Sequence, residues 1–420
     1  MLLNRRELLR TLGAATVMSL ETGAASALAR AAAAADPKSA GRENLLVVVQ
    51  FAGGNDGLNT VVPYADDLYA KNRRTLRLTE KQVLKIDSLL GFHPEMRAFK
   101  KLYDEGLLSV VQGVGYPNPH GGHAESMQFW HTARPHETGV QTGWVGRAAD
   151  QAYRPGEVDL PAVFVGRIRR PFVINAEKSF VPAIRSLDHA TLRTLSGAAD
   201  GDAHRRALVR AAEVPRGDRE NPLVGFVGQS TSAAYAASAR IERELQRGRS
   251  AVEYPQSEFA QMLRSVAQLI RADLGIRIFV TELGGEEPGG WDTHAVQFAN
   301  HAALLKQMSE GMAAFAGDLK QDRLLDRVVL VTYSEFGRTV VENGRRGTDH
   351  GSAAPMFLVG GKLKGGLVGP HPSLAQLEGG GVKHHTDFRR VFATLLDRWL
   401  GWPSKPVLGG DYAPLEILKT

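Results

Sequence analysis

The chain has 420 residues, of which 43% are hydrophobic and 23% charged, a balance typical of a packed globular protein rather than a disordered one. The formal net charge of +6 is small, and no long run of Lys and Arg is interleaved with aromatics, so nucleic acid is not an expected partner. The absence of cysteine excludes disulfides, thiolate metal ligands and cysteine nucleophiles.

The first 35 residues have the pattern of an export signal. Arg5-Arg6 precedes a weakly apolar segment, Thr11 to Leu28, and small residues that suit cleavage follow it. This start resembles a twin-arginine signal, which implies transport of the folded chain to the periplasm with the twin-arginine translocase as a transient partner. The apolar segment is too short and interrupted to act as a stable membrane anchor. An amphipathic N-terminal helix is the alternative, and a polar linker over residues 36–44 follows in either case.

The first buried strand is predicted from Leu45 to Phe51, and it leads directly into a glycine-rich turn that contains Asp56. A carboxylate at the end of a strand is a candidate metal ligand. The alternative is a tight turn that uses the Asn-Asp-Gly sequence for its positive φ angles.

A second strand is predicted from Leu107 to Val114, and a loop rich in Gly and Pro separates it from a helix over about Ala124 to Thr132. His123 stands at the start of this helix, where free backbone N–H groups favour an anion. Four of the thirteen histidines fall between residues 120 and 136, which favours a site role for His123 over a solvated surface position.

The middle of the chain predicts scaffold elements. Short strands are expected over 160–165 and 171–174, and the charged, alanine-rich segment 178–250 reads as a helical insertion over the sheet. An amphipathic helix from Phe259 to Asp273 and a strand from Arg277 to Leu283 come next.

A third glycine-rich loop contains Asp292 and His294, an Asp-x-His pair that can hold a divalent ion through a carboxylate and an imidazole. The alternative is that Asp292 caps the helix predicted from about Val296 to Leu319. On that reading His301 lies on the polar face of the helix.

The strongest candidate site follows the predicted strand Val328 to Tyr333. Glu335 and Arg338 lie just beyond its carboxyl end, where parallel sheets place their ligands, and Asp349-His350 follow between two glycines. A strand is expected over 354–360 and a helix over 388–400, with Asp387 as its N-cap. The roles of His384 and His385 stay open.

These motifs resemble, in their order along the chain, the alkaline phosphatase-like superfamily of phosphatases, phosphodiesterases, sulfatases and phosphomutases. They look more closely like a large exported bacterial family of unknown function that is grouped with that superfamily. The resemblance implies one α/β domain over residues 45–420, an alkaline phosphatase-like three-layer sandwich whose mostly parallel central sheet has helices on both faces.

The resemblance also implies a site with one or two divalent ions, zinc, manganese, magnesium or calcium. The implied metal ligands are Asp56, Asp292, His294, Glu335, Asp349 and His350. The superfamily spacing is Asp-x-x-x-His where this chain has Asp-x-His, so either His294 or His301 can be the ligand. Two alignments with the superfamily are possible for the last ligands. In the one we favour, Ser334-Glu335-Phe336-Gly337 takes the place of Ser-Asp-His-Gly and His350 is the final histidine. In the other, Asp349-His350 is the Asp-His pair.

The implied catalytic residues are His123, Ser126 and Arg338, with His123 and Arg338 binding the anion. The related exported family commonly has Ser-His-Phe at the start of the helix, whereas this chain has Gly122-His123-Ala124. That leaves Ser126 or a metal-activated water as the local nucleophile. The first hypothesis is a periplasmic metal-dependent hydrolase that acts on a small anionic ester or a sulfated or phosphorylated glycan. The second is an exported binding or assembly protein that retains the fold without the chemistry.

Overall fold

The computed structural model describes residues 43–154, 160–167, 170–184, 187, 248, 250, 252–284 and 290–419. The predicted export signal and nearly all of the predicted helical insertion lie outside these residues. The described start of that insertion contains a short strand, Ala183–Ile184, instead of helix.

The strands are, in chain order, β1 Leu45–Ala52, β2 Val61–Val62, β3 Leu84–Lys85, β4 Gly91–Phe92, β5 Leu108–Gly115, β6 Ala162–Val165, β7 Ala183–Ile184, β8 Ile278–Gly284, β9 Val328–Ser334, β10 Ala354–Gly360, β11 Gly366–Val368, β12 Leu377–Glu378, β13 Gly381–Val382 and β14 Thr386–Asp387. The described α-helices are α1 Gly57–Thr60, α2 Asp67–Asn72, α3 Arg97–Asp104, α4 His123–Thr132, α5 Trp144–Ala152, α6 Glu258–Ala272, α7 Gln297–Gln321, α8 Phe388–Ala393 and α9 Ser404–Leu408. Two short 3₁₀ turns, Phe172–Ile174 and Leu325–Arg327, and a π-helical segment, Thr394–Leu400, complete the described helical elements.

The central sheet has the strand order β11-β5-β10-β9-β1-β8-β6-β7, and β14 extends it by pairing with the end of β5. Strand β1 is parallel to both neighbours, with Val47 opposite Phe279 of β8 and opposite Leu330 of β9. Only β10 runs antiparallel, between β9 and β5. The carboxyl ends of β1, β5, β8 and β9 therefore lie at one edge of the sheet, and β10 begins there.

Helices cover both faces of the sheet. On one face, Val47 and Val49 of β1 belong to a buried cluster that includes side chains of α3, α6 and α7. On the other face, Leu46 and Val48 belong to a second cluster with side chains of α4, α5 and α8. Alternate residues of a strand point to opposite faces, so a continuous apolar run is what a sheet covered on both sides requires. The expected three-layer α/β architecture with a mostly parallel sheet is confirmed.

Most of the predicted elements are confirmed, with boundaries that shift by one or two residues. Besides the start of the insertion, two expectations were wrong. Residues 172–174 form a 3₁₀ turn where a strand was expected, and Asp292 does not cap α7, whose N-cap position is Val296 with a left-handed backbone. The cap by Asp387 is confirmed, since its side chain accepts a hydrogen bond from the N–H of Arg389. Within the described ranges, no helix combines the length and the apolar character needed to cross a membrane.

Candidate metal centre

Four side chains from three loops meet at the carboxyl edge of the sheet. His123 is the first residue of α4, Asp292 and His294 lie between β8 and α7, and His350 lies between β9 and β10. We call these four residues the Asp292 cluster. Residues far apart in sequence come together here because the strands that carry these loops end at the same edge.

The three histidines turn their Nε2 atoms toward Asp292. One carboxylate oxygen of Asp292 lies 3.1 Å from Nε2 of His294 and 3.2 Å from Nε2 of His350. The other lies 3.5 Å from Nε2 of His123. The Nε2 atoms of His294 and His350 are 2.9 Å apart. Among the described residues, His123, Asp292 and His350 form one group whose ligand atoms all lie within 4.8 Å of one another, as a metal site requires.

The opposite ring nitrogen of each histidine contacts a hydrogen-bond acceptor. Nδ1 of His123 lies 3.0 Å from Glu335, Nδ1 of His294 lies 3.0 Å from Asp349, and Nδ1 of His350 lies 2.7 Å from the carbonyl oxygen of Gly121. A carboxylate or carbonyl oxygen only accepts, so the tautomer with its hydrogen on Nδ1 satisfies all three of these contacts, and in that tautomer Nε2 has a lone pair. Three imidazole nitrogens and a carboxylate thus converge, and a cation among them would let each Nε2 act as a ligand.

The surroundings of the cluster shift the pKa values of three of its members, His123, Asp292 and His350. The hydrogen bond to Glu335 raises the pKa of His123, whereas burial lowers the pKa of His350. Partial burial by itself raises the pKa of Asp292, but the hydrogen bond and charge of Arg338 outweigh it, so the pKa of Asp292 is lowered. Asp292 is thus an anion at neutral pH.

Arg338, which was expected to bind an anionic substrate, is surrounded by acceptors of the protein itself. Its guanidinium is completely buried and lies 2.6 Å from Asp292. It also donates to the carbonyl oxygens of Gly53, Gly54, Trp291 and Thr348. With these donors engaged, Arg338 positions Asp292 and joins three loops, and it does not face solvent.

Asp56, an expected metal ligand, lies outside the Asp292 cluster. Both of its oxygens accept from Arg73, at 2.5 and 3.0 Å, and one also accepts from Gln297. The Asp56 and Arg73 side chains are buried, with 1% and 0% of their surface exposed. Burial alone would raise the pKa of Asp56, but the charge of Arg73 outweighs it and the pKa is lowered to about 2.

The other expected site residues also have partners within the protein. Glu335 and Asp349, expected as ligands, contact Nδ1 of His123 and Nδ1 of His294. Ser126, the candidate nucleophile, is fully buried and donates to the carbonyl oxygen of His120 at 2.7 Å.

The histidines whose roles the sequence left open lie in different places in the fold. His294 belongs to the cluster, whereas His301 is buried against Asn55 at 3.1 Å, and burial lowers its pKa to about 3. His384 contacts Glu378, and His385 contacts the carbonyl oxygen of Pro370, so neither turns toward the cluster.

Aromatic packing and one close backbone approach hold the loops in place. Trp291 is buried, donates to the carbonyl oxygen of Leu283, and stacks on Phe51 with ring centroids 4.8 Å apart. Gly53 has φ of +121°, and a Cβ there would lie 2.5 Å from the backbone nitrogen of Asp292. Phe336 stacks on His350 with ring centroids 4.4 Å apart.

Sequence reasoning missed three residues of this region. Arg73 pairs with Asp56, Gln297 joins two of the loops, and Asn343 donates to both the backbone of His294 and the side chain of Asp349. Arg73 stands in an ordinary charged stretch and Gln297 at the start of a helix, so nothing in the local sequence distinguished them.

Residues 191–401 match the family model described as "Protein of unknown function (DUF1501)". The match spans half of the sequence. The chain belongs to the DUF1501 family. The expected membership in a family of unknown function is thereby confirmed, and no curated protein matches this DUF1501 chain.

Solved structures similar to this DUF1501 protein include the C-terminal periplasmic domain of EcEptC from Escherichia coli in complex with zinc, at 10% identity and a TM-score of 0.33, over 76% of this chain and 73% of that one. The lipoteichoic acid synthase LtaP from Listeria monocytogenes shares 9% identity with a TM-score of 0.35, over 82% and 74% of the two chains. The phosphonate monoester hydrolase SpPMH from Silicibacter pomeroyi shares 10% identity with a TM-score of 0.36, over 89% and 78%. The architecture itself is defined by the strand order and directions.

Proposed function

We propose that this DUF1501 protein is an exported, metal-dependent hydrolase of phosphate or sulfate esters, with one divalent ion at the Asp292 cluster. The observation that carries the proposal is the convergence of three Nε2 atoms on Asp292, with each Nδ1 in contact with an acceptor. Metal-binding histidines are commonly oriented in this way by partners behind them. The twin arginines Arg5 and Arg6 support export to the periplasm.

The donor set favours zinc or manganese. Three imidazole nitrogens and one carboxylate suit a borderline ion, whereas magnesium and calcium prefer oxygen ligands. Because Arg73 occupies both oxygens of Asp56, that carboxylate offers no second site, and we propose one ion per chain.

The cluster is accessible enough for an ester to reach it, since the side chains of His123 and Asp292 are each 41% exposed. A bound ion supplies a Lewis acid that polarises the ester and lowers the pKa of a water molecule. The N-terminus of α4, which begins at His123, offers backbone N–H groups to an anionic substrate. Glu335 holds the proton on Nδ1 of His123 and so keeps Nε2 directed at the cluster. With Ser126 buried, water is the proposed nucleophile.

The substrate class follows from the resemblance of the motif order to the alkaline phosphatase-like superfamily. It is a small anionic ester or a sulfated or phosphorylated glycan. One observation favours a second candidate, a binding or assembly protein that retains the fold: no accessible serine or threonine stands at the start of α4, where Gly122-His123-Ala124 is found.

The metal proposal is tested by titrating zinc and manganese into the metal-depleted protein in a calorimeter. We expect one ion per chain for the wild type and a large loss of affinity for Asp292→Asn, whose amide removes the central charge. The control is His385→Ala, a histidine outside the cluster, and its affinity should equal that of the wild type. Absence of binding by the wild type would overturn the proposal.

The hydrolase proposal is tested with p-nitrophenyl phosphate and p-nitrophenyl sulfate, before and after metal is restored. Turnover that depends on the ion and is lost in Asp292→Asn supports an ester hydrolase. If the wild type binds the ion and neither ester is cleaved with any restored metal, the non-catalytic candidate replaces it.

A further inference from the structure

We propose that Gln297 is a positioning residue that holds the two ligand-bearing loops of the metal centre in register. The proposal rests on the proposed metal site. Gln297 is the first residue of α7 and is completely buried, and its side chain forms hydrogen bonds with Asp56, Thr293 and Thr348. Its effect therefore reaches the cluster through neighbouring residues.

The side-chain oxygen of Gln297 accepts from two buried threonines, one in each loop. It lies 3.0 Å from the hydroxyl of Thr293, which stands between Asp292 and His294, and 2.6 Å from the hydroxyl of Thr348, two residues before His350. One amide oxygen thus ties together the loop after β8 and the loop after β9. A backbone hydrogen bond from the N–H of Thr348 to the carbonyl oxygen of Thr293 joins the same two loops.

Asp56 determines the orientation of the Gln297 amide. The carboxylate of Asp56 accepts only, so the NH₂ group of Gln297 must face it and the oxygen must face the two threonines. Arg73 in turn holds Asp56 and donates to the carbonyl oxygens of Thr339 and Val340, which belong to the loop after β9. The buried pair of Asp56 and Arg73 therefore fixes the position of Gln297 between the loop after β8 and the loop after β9.

The backbone before Gln297 is bent to bring it there. Val296 has φ of +45°, a left-handed conformation that is rare for a β-branched residue, and its N–H donates to the carbonyl oxygen of Arg345. The N–H of Gln297 donates to the carbonyl oxygen of Arg346. This turn allows His294 to join the cluster while Gln297, three residues later, contacts the two threonines.

The test is the variant Gln297→Leu, which keeps the bulk and removes the acceptor. We expect its zinc affinity to fall about tenfold or more, the range for partners behind metal ligands. The matched control is Gln50→Leu, because Gln50 is also buried and its oxygen also accepts from two side chains, Tyr333 and His131. The control should lower the melting temperature to a similar extent and leave zinc affinity unchanged. Equal zinc affinities in wild type and Gln297→Leu, or equal losses in both variants, would overturn the proposal.

A milder variant and a second readout separate this proposal from the proposed function. Thr348→Val removes one of the two hydroxyls with little change of shape and should weaken zinc binding less than Gln297→Leu. In the metal-free protein, Gln297→Leu should shift the ring NMR signals of His294 and His350, and Gln50→Leu should not. If the wild type binds no zinc, the metal function fails, and unshifted ring signals would then reject the positioning role as well.

Discussion

His350 contacts the other members of the Asp292 cluster and contributes few contacts to the rest of the fold. Its Nε2 faces Asp292 and His294, its Nδ1 is held by Gly121, and its ring packs on Phe336. Because the apolar strands are buried elsewhere, the energetic role of this side chain should be local.

We predict that His350→Ala lowers zinc affinity by about a hundredfold or more, above the range for residues that only orient a ligand. The free energy of unfolding of the metal-free protein should change by about 1 kcal/mol. Calorimetric titration at neutral pH and urea unfolding measure the two quantities. Equal affinities in wild type and variant would remove His350 from the site.

Arg73 and Asp56 form a buried ion pair that is costly to break on one side. We predict that Arg73→Leu destabilises the protein by about 3–5 kcal/mol at pH 7, because the carboxylate of Asp56 is left buried without its cation. Urea unfolding measures the change. The matched control is Lys85→Ala at the exposed pair with Glu80, which should leave the unfolding free energy unchanged. Equal free energies of unfolding for Arg73→Leu and wild type would contradict the prediction, because they would mean that another group stabilises the buried carboxylate of Asp56.

The same pair predicts a pH dependence. The pKa of Asp56 is lowered to about 2 in the folded state, below its ordinary value of 3.8, so its contribution is present above about pH 4 and is lost as the pH falls through 2. The difference in unfolding free energy between wild type and Arg73→Leu should therefore shrink between pH 4 and pH 2. A difference that stays constant over that range would contradict the assignment.

At the scale of elements, the turn between β8 and α7 carries Asp292 and His294 of the cluster and also contains a strained backbone conformation at Val296. Val296 is 71% exposed and has φ of +45°, so its side chain contributes little packing while its Cβ disfavours the conformation.

We predict that Val296→Gly raises the free energy of unfolding by about 1 kcal/mol, because glycine adopts the left-handed region without that penalty. The control is Phe298→Gly, two residues later in helical conformation, where glycine should destabilise by about 1 kcal/mol. Thermal unfolding of the three proteins measures both. A lower melting temperature for Val296→Gly would show that the side chain stabilises the turn in another way.

For the whole molecule, the sheet topology explains how the Asp292 cluster is assembled from distant segments. Parallel strands bring the loops after β5, β8 and β9 to one edge, and the antiparallel β10 returns the chain to the sheet just after His350. The helices on both faces fill the core without using any residue of the Asp292 cluster.

We predict that replacing both Arg5 and Arg6 by lysine retains the chain in the cytoplasm at its full precursor length, because the twin-arginine pathway depends on that pair. Fractionation and immunoblotting of cells that express wild type and variant measure both location and length. Lys38→Arg, a change of the same type in the linker, is the control and should be exported normally. Normal processing of the double variant would indicate another export route.

The elements that could be predicted were those with strong local signals. The apolar runs of β1, β9 and β10 and the amphipathic pattern of α6 depend on side chains that neighbour each other in sequence, so the sequence alone indicated them. Most of the cluster was also predictable as a set, since Asp292, His294 and His350 follow strands in glycine-rich loops.

The sequence by itself determined the α/β class, the edge of the sheet where the site would lie, and the residue types gathered there. Only the tertiary structure decided which of them meet in one cluster. Asp56 and Asp292 both follow a strand, and no local pattern separates them. Both oxygens of Asp56 accept from Arg73, the residue after α2, whereas Arg338 contacts one oxygen of Asp292 and the same carboxylate faces three histidines. The reason is physical: whether a carboxylate oxygen is open to a metal depends on which cations occupy it, and that is decided by contacts between segments far apart in the chain.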